Sequence, residues 1–367
     1  MFLSKLKRIL PKCLMVLIVF NLLAAKPPEP DWGARMDELR SVLSELLPDV
    51  ISDQQYNSPK NFERIEKNTK KLTALTHDMP EEKMSGNNDA SITLISGLFK
   101  DQILLAYGHL QNGHREYARS ILKAVPRYCI ACHTRSASSL DLSSLQKEVP
   151  KVLQTSLEKA EFFDATWQFD RALDEFQKIL TDPQNVKDHE LEWQRAAYYA
   201  IATSVRVKRD PERAMTIVNL ILNSTEAPQF VEREARQWQI SLEQWKSEEP
   251  KDLTTANALL NEAERLIGLA SQLQEYQHNH SANILYLRAT SCLHDFLSSY
   301  PDSPDVTKAL LLLGNCYEAL QVPELWNVHE LYYEACIHKS PHTDISQTCY
   351  ERYEQSVFFG YSGSAGV

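Results

Sequence analysis

Two cysteines and a histidine share a short segment at a spacing that suggests chemistry. Cys129 and Cys132 are separated by two residues, and His133 follows at once in the run Cys-Ile-Ala-Cys-His. Residues three apart fall on one face of a helix, so the two thiols are expected to point the same way. Such a group suits covalent attachment of haem, because the thiols add to its two vinyl groups and the histidine binds the iron from the proximal side.

Other interpretations of this motif remain open from the residues alone. The two cysteines could be buried thiols beside a surface histidine, with no shared chemistry. A redox-active dithiol normally belongs to a fold with a sheet, which this sequence does not suggest. A zinc site needs a second pair of ligands, and none follows nearby. One covalently attached haem c is therefore the expected cofactor.

The N-terminal segment is typical of an export signal. Lys5, Lys7, Arg8 and Lys12 precede a largely apolar run at residues 13–25. That run is shorter than the roughly 20 residues of a membrane-spanning helix, which favours a signal peptide over residues 1–25, with an uncleaved anchor as the alternative. Haem c is attached outside the cytoplasm, so signal and motif together predict a periplasmic or cell-envelope protein. Membrane contact is expected only through this segment, if it stays uncleaved.

Composition and charge narrow the possible functions. The 367 residues are 43% hydrophobic and 24% charged, as in folded soluble proteins. Only 10 glycines are present, too few for the tight turns of an all-β fold, so an all-α protein is expected. The net charge of −10 repels phosphate backbones, which makes nucleic acid an unsuitable partner and a basic redox protein a suitable one. No spacing of serines, carboxylates and histidines specifies catalysis, so no enzyme activity is predicted.

Residues 30–140 show the periodicity of four helices, which predicts an up-down-up-down bundle. The fourth helix carries the motif and is expected to kink at Pro126. The expected segments are Trp32 to Leu47 ended by Pro48, Ser58-Pro59 to the residue before Pro80, Ser91 to Leu110, and a last helix from near His114 that buries Tyr117, Ile121, Leu122 and Val125.

The haem motif on the last of four helices resembles the cytochrome c′ family. The resemblance covers residues 30–140 and includes the run from Tyr117-Ala118-Arg119 to His133-Thr134-Arg135. It implies that a first-helix residue covers the distal face of the haem. Met36 is the candidate for a methionine that ligates the iron, whereas Leu39 in that place would leave the iron five-coordinate. Core packing of Met36 is the alternative.

Five further residues are conceivable sixth ligands, but each is better interpreted as a solvated surface residue. Three stand in a polar segment and two flank the turn before the fourth helix, at the end far from the motif. They are His77, Met79, Met84, His109 and His114.

Residues 150–357 resemble tetratricopeptide repeats, because amphipathic helices recur there in pairs. Small and aromatic residues have the repeat's spacing at Ala160, Phe163, Ala172, Phe176, Leu313-Gly314, Tyr317 and Ala335. The period is irregular, so the segment is expected to form a tetratricopeptide-like array that stacks helix pairs and binds a protein. A scaffold that merely packs on the cytochrome is the alternative. Residues 358–367 are expected to be a disordered tail.

Four cysteines remain near the C terminus, in a compartment that permits disulfides. Cys336 and Cys349 flank a predicted turn and are candidates for one disulfide. Cys292 and Cys316 fall on successive helices and are candidates for a second. Burial as free thiols is the alternative for both pairs.

Electron transfer in the cell envelope is the function that these features favour, with a partner held on the repeat surface. A haem-based gas sensor or binder would instead require an open distal face. A third hypothesis is a non-enzymatic scaffold in which the haem is structural. In every case the haem supplies the redox chemistry and the protein tunes it.

Overall fold

Only helices and turns occur in the part of the chain that the structure describes. The computed structural model describes residues 32–77, 90–133, 150–274, 279–321 and 328–361. The all-α prediction is therefore confirmed for these ranges. The expected signal at residues 1–25, Met79 and Met84 lie outside them. Among the described helices, none has both the length and the apolar character needed to cross a membrane.

Within the described ranges before residue 134 there are five α-helices, and a 3₁₀ turn at Pro59–Asn61 precedes the third of them. Their positions confirm the four predicted helices and add a single-turn helix after the first. They are α1 (Trp32–Ile51), α2 (Asp53–Tyr56), α3 (Phe62–His77), α4 (Ala90–Gln111) and α5 (Arg115–His133).

Eleven α-helices follow residue 150 within the described ranges, and five residues at Thr203–Val207 form a π-helical turn. They are α6 (Ser156–Ala165), α7 (Phe169–Thr181), α8 (Pro183–Asp188), α9 (Glu190–Ala202), α10 (Pro211–Leu222), α11 (Gln229–Ser247), α12 (Ala256–Leu273), α13 (Asn283–Ser299), α14 (Val306–Leu320), α15 (Val328–Lys339) and α16 (Asp344–Tyr361).

Local sequence signals explain where several of these helices begin. Thr155 accepts a hydrogen bond from the Glu158 amide while Glu158 bonds back to the Thr155 amide, which is a capping box at the start of α6. Asp210 caps α10 through the Arg213 amide, and Pro211 follows at the first helical position. These caps satisfy amide groups that have no partner inside the helix.

Helix α1 runs past Pro48, where the sequence predicted its end. Proline lacks the N–H that would bond one turn back, but the loss is local and the helix continues to Ile51. Val50 and Ile51 are buried, so their burial favours continuation. Arg119 also donates hydrogen bonds to the carbonyl oxygens of Val50 and Ile51, which satisfies acceptors at the end of the helix.

Contacts divide the chain into two compact units, Met1–Leu39 and Arg40–Val367. The described part of the first unit is the opening of α1, residues 32–39. The second unit contains most of both regions distinguished in the sequence. Within it, Leu47 and Ile51 belong to the same buried apolar cluster as Ala160, Phe163 and Phe176.

Many helices that are consecutive in the chain pack against each other in the second unit. The main pairs are α4 with α5, α6 with α7, α10 with α11, α12 with α13, and α14 with α15. Several of the residues that suggested repeats are core residues: Ala160, Ala172, Phe176 and Leu313 have no exposed surface. Their spacing is therefore that of residues in the buried faces of the helices.

A buried group of charges joins the end of α11 to α12 and α13. The Arg288 side chain is 9% exposed, and its Nη2 lies 2.6 Å from Glu248 Oε2. Arg265 Nη2 approaches both Glu248 Oε1, at 3.0 Å, and Glu262 Oε1, at 2.7 Å. Lys251 pairs with Glu262 as well. Opposite charges thus compensate each other where burial would otherwise be costly.

The last helix is longer than the sequence suggested. Helix α16 continues to Tyr361, so residues 358–361 of the expected disordered tail are helical. Phe358 and Phe359 are 74% and 70% exposed, so core packing does not account for this extension. The helical hydrogen bonds of α16 continue past the last buried residues.

Candidate functional site

The motif stands at the end of α5, and the beginning of that helix is held firmly. Arg115 Nη2 donates to the carbonyl oxygen of Tyr56 at 2.9 Å, while the Tyr56 hydroxyl donates to the carbonyl oxygen of Arg115. The Arg115 guanidinium also lies 3.4 Å from the centroid of the Phe62 ring. Cation–π contact and paired hydrogen bonds together fix this end of the helix against residues 56–62.

One turn further on, Arg119 binds the segment that ends α1. Its Nε and Nη2 donate to the carbonyl oxygens of Val50, at 2.9 Å, and Ile51, at 3.0 Å. Its Nη1 lies 2.6 Å from Asp53 Oδ1. The Arg119 side chain is only 13% exposed, so its bonds to the two carbonyl oxygens are partly shielded from water, whereas the Asp53 side chain is 79% exposed.

A second turn on, Lys123 joins α5 to the C-terminal helices. Lys123 Nζ lies 2.8 Å from Glu161 Oε2 on α6. Arg195 Nη1 on α9 lies 3.3 Å from the other oxygen of the same carboxylate. Residues 115, 119 and 123 are four apart and share one face of α5. The cations on this face therefore bind α5 to the segments around Tyr56, Val50 and Glu161.

Another face of α5 is apolar and buried. Ala118 and Val125 have no exposed surface, and Leu122 is 2% exposed. This corrects part of the predicted buried face, because Tyr117 is 70% exposed and Ala118 takes its place in the core. The Tyr117 ring stacks on His109, with centroids 5.6 Å apart, at the surface.

The helical register carries this buried stripe into the motif. Helix α5 runs through Pro126 to His133 without interruption. Positions 129 and 132 follow position 125 by four and seven residues, the spacing of one helix face. Cys129 and Cys132 therefore hold register positions that continue the stripe of Leu122 and Val125, and His133 ends the helix.

Tyr128, directly before the motif, lies in an apolar setting. It is 5% exposed, and burial raises the pKa of its hydroxyl to about 12. Tyr128 therefore stays a neutral phenol under physiological conditions. Among the side chains that the structure describes, no cluster of three or more histidine, cysteine or carboxylate groups could hold a metal ion; those of Cys129, Cys132 and His133 are not among them.

The conceivable sixth ligands differ in position. Met36 lies half-buried on α1, in the first compact unit, and His77 is exposed at the end of α3. His109 and His114 lie beside the start of α5, with their Nδ1 atoms 3.4 Å apart. At 1.5 Å per residue, the start of α5 is about 27 Å from His133, so these two histidines are too far from the motif to share its iron.

The C-terminal cysteines behave as two different pairs. Cys336 on α15 and Cys349 on α16 form a disulfide, as their spacing suggested. Cys292 and Cys316 are free buried thiols, so the expected second disulfide is not formed. Each has its own environment: Cys292 lies near Arg209 and Asp295, whereas Cys316 has no exposed surface, and burial raises the pKa of both thiols.

Sequence reasoning missed an open groove of about 1000 Å³ at the C-terminal end of the chain. Helices α12, α13, α14, α15 and α16 all contribute to its lining. Its polar side chains include Asn315, Glu318, His329, Arg352 and Gln355. These residues are far apart in the chain, so only the packing of the helices brings them together.

Comparisons with models of protein families, with curated proteins and with solved structures found no match to this chain.

Proposed function

We propose that this protein is an exported c-type cytochrome that transfers electrons through a single covalent haem. Cys129 and Cys132 would bind the haem through thioether bonds, and His133 would bind its iron from the proximal side. The C-terminal helices would hold a protein partner. Residues 30–140 would form the four-helix haem bundle and residues 150–357 the tetratricopeptide-like array.

A single observation carries the proposal: the motif ends a continuous helix whose buried residues Leu122 and Val125 are in helical register with positions 129 and 132. A haem attached there would continue the apolar face formed by Leu122 and Val125, which is where a flat apolar macrocycle is best shielded. The anchored residues Arg115 and Arg119 fix the helix that presents it.

The donor set fits haem c better than the alternatives. Two thiols three residues apart lie on one helix face, and the imidazole stands next to the second. Bound haem would supply reversible one-electron chemistry at its iron. The protein would contribute shielding, through the buried stripe, and a neutral neighbour in Tyr128, whose phenol adds no charge beside the site.

Electron transfer is favoured over gas binding when a protein ligand occupies the sixth coordination position of the iron. The coordination then changes little between oxidation states. Met36 is the proposed sixth ligand, by the cytochrome c′ resemblance. Gas sensing would follow if the distal face were open, with Leu39 over the iron.

The experiment is expression with the natural signal in a bacterial host that matures c-type cytochromes, followed by optical spectra and an intact mass. We expect the protein to be coloured and to have the mass of one added haem. Acid-acetone extraction should not remove that haem. Replacing both thiols, Cys129→Ala with Cys132→Ala, should abolish colour, while the matched variant Cys292→Ala with Cys316→Ala should keep it. Colourless protein without the added mass would overturn the proposal.

The same spectra separate electron transfer from sensing. Oxidised protein should show a methionine–iron charge-transfer band at the red edge that Met36→Ala removes, and the reduced protein should bind carbon monoxide poorly. Ready carbon monoxide binding by the unaltered protein would favour the sensor instead.

A further inference from the structure

The C-terminal groove is lined by groups that are held in place by residues beneath them. Tyr333 has no exposed surface, and its hydroxyl approaches both Asn315 Oδ1, at 3.0 Å, and Glu318 Oε2, at 2.5 Å. Burial first, and then the nearby Glu318 charge, raise the pKa of Tyr333, so its hydroxyl stays a donor. Asn315 and Glu318, which both line the groove, are thus held by Tyr333 from beneath.

A second set of hydrogen bonds joins α15 to α16, which form another part of the groove lining. Ser356 donates its hydroxyl proton to Glu330 Oε1 at 2.7 Å. His329 Nε2 lies 2.8 Å from the same Ser356 oxygen and must therefore carry a proton. Helices α15 and α16 are joined nearby by the Cys336–Cys349 disulfide. This part of the lining is thus ordered before any ligand arrives.

The groove contains two opposite charges that are not paired with each other. Glu318 has Tyr333 as its hydrogen-bond donor and forms no ion pair within the described ranges. Arg352, on α16, is exposed and also forms no ion pair there. Apolar side chains accompany them, with Ile267 and Ala319 in the lining and Phe359, 70% exposed, at the end of α16.

We infer that this groove binds an extended peptide segment of a partner protein, with an acidic side chain of the peptide on Arg352 and a basic one on Glu318. This inference rests on the proposed partner-binding function of the C-terminal helices. Side-chain amides such as Asn315 and Gln355 offer both donors and acceptors, which suits a peptide backbone with alternating N–H and C=O groups. Opposite charges on two different helices, α14 and α16, suit a segment that presents one acidic and one basic side chain.

The experiment selects binders from a random-peptide display library on the full-length protein. Unaltered protein should enrich peptides with one acidic and one basic residue at a constant spacing. Arg352→Glu should select a basic residue where the unaltered protein selects an acidic one, because the side chain at position 352 that contacts this peptide residue then has the opposite charge. Enrichment of no common pattern, or the same pattern with Arg352→Glu, would overturn the inference.

Synthetic copies of an enriched peptide then test each contact by fluorescence anisotropy. Arg352→Gln and Glu318→Gln should each weaken binding about tenfold, which corresponds to about 1.4 kcal/mol. Glutamine at 318 can still accept from Tyr333, so the fold is preserved, and circular dichroism checks this. Arg233→Gln, at an exposed arginine of α11 outside the groove lining, should leave binding unchanged. Equal binding by all variants would contradict the assignment.

Failure of this inference can be told apart from failure of the haem proposal. The variant Cys129→Ala with Cys132→Ala should bind the peptide as the unaltered protein does, although it lacks colour. Coloured protein that binds no peptide overturns the peptide site alone, and colourless protein that binds it overturns the haem alone.

Discussion

The ring of Tyr333 on α15 lies against the bare backbone of Gly314 on α14. A Cβ atom built at position 314 would overlap ring atoms of Tyr333, well inside van der Waals contact. Glycine is therefore required at this helical position, although it is a poor helix former. The close approach lets the Tyr333 hydroxyl reach Asn315 and Glu318 in the groove.

Gly314→Ala should destabilise the protein despite the better helix propensity of alanine. Overpacking of a tight core contact costs about 1–3 kcal/mol, which exceeds the roughly 1 kcal/mol that alanine contributes to a helix. Urea unfolding measures the net change. Gly268→Ala is the matched control, because nothing lies within 4 Å of a Cβ at position 268 of α12. That control should stabilise slightly, and equal effects of both changes would contradict the packing argument.

Arg119→Ala should destabilise the helix that carries the haem motif. It removes hydrogen bonds to the carbonyl oxygens of Val50 and Ile51, which are left without this donor, and the ion pair with Asp53. Hydrogen bonds to a charged donor are worth about 1.5–3 kcal/mol, and a loss of that size is expected in urea unfolding. Arg233→Ala, at an exposed arginine, should change stability by less than about 0.5 kcal/mol. A comparable loss in both variants would show that Arg119 has no special role.

Stability should fall in acid through the Glu248 carboxylate. Burial alone would raise the pKa of Glu248, but the hydrogen bonds and charges of Arg288 and Arg265 outweigh burial and lower it to about 2. Because this folded-state pKa lies below the unfolded value, the stabilisation is present above about pH 4.5 and is lost as the pH falls towards 2.

Glu248→Gln should remove that part of the acid dependence and lower stability near neutral pH by about 1–3 kcal/mol. Urea unfolding at several pH values from 2 to 7 measures both effects. The exposed neighbour change Glu249→Gln should leave the pH profile as it was. An unchanged profile in Glu248→Gln would assign the acid loss to other carboxylates, with Glu262 as the first to test, because its pKa is lowered too.

Loss of the Cys336–Cys349 disulfide should cost about 3 kcal/mol, since it closes a short loop of 13 residues in sequence separation. Cys336→Ser with Cys349→Ser should show this loss by thermal unfolding, and reductant should have no further effect on it. Alkylation of the denatured, unreduced protein should modify both Cys292 and Cys316. Two further thiols should appear only after reduction. Modification of Cys336 without reductant would refute the disulfide.

Helix positions could be predicted from the sequence because apolar periodicity and caps are local signals. The segment at Ser91 to Leu110 is an example, since the helix found there is Ala90–Gln111. The predicted end of α1 at Pro48 was wrong, because the local sequence does not show the tertiary contacts of Arg119 with the last turn of this helix. The prediction was also wrong at Tyr117, which is exposed, because the buried face of the helix contains the next residue, Ala118, instead.

The motif could be found from sequence because its residues are adjacent. The groove could not, since Glu318 and Arg352 belong to different helices and have ordinary neighbours in the chain. Likewise, spacing alone made Cys292 and Cys316 a plausible pair, but each faces a different environment once the helices have packed.

The Glu161 carboxylate, on α6, links that helix to α5 and to α9. It accepts Lys123 from the motif-bearing helix and Arg195 from α9, one cation on each oxygen. Because both oxygens are engaged, rotation of the carboxylate would break an ion pair, and the two pairs oppose movement of the motif-bearing helix relative to α6 and α9. If the proposed haem is bound at the motif, a partner on those helices would lie at a nearly constant distance from it, and a constant distance keeps the electron-transfer rate uniform from one encounter to the next.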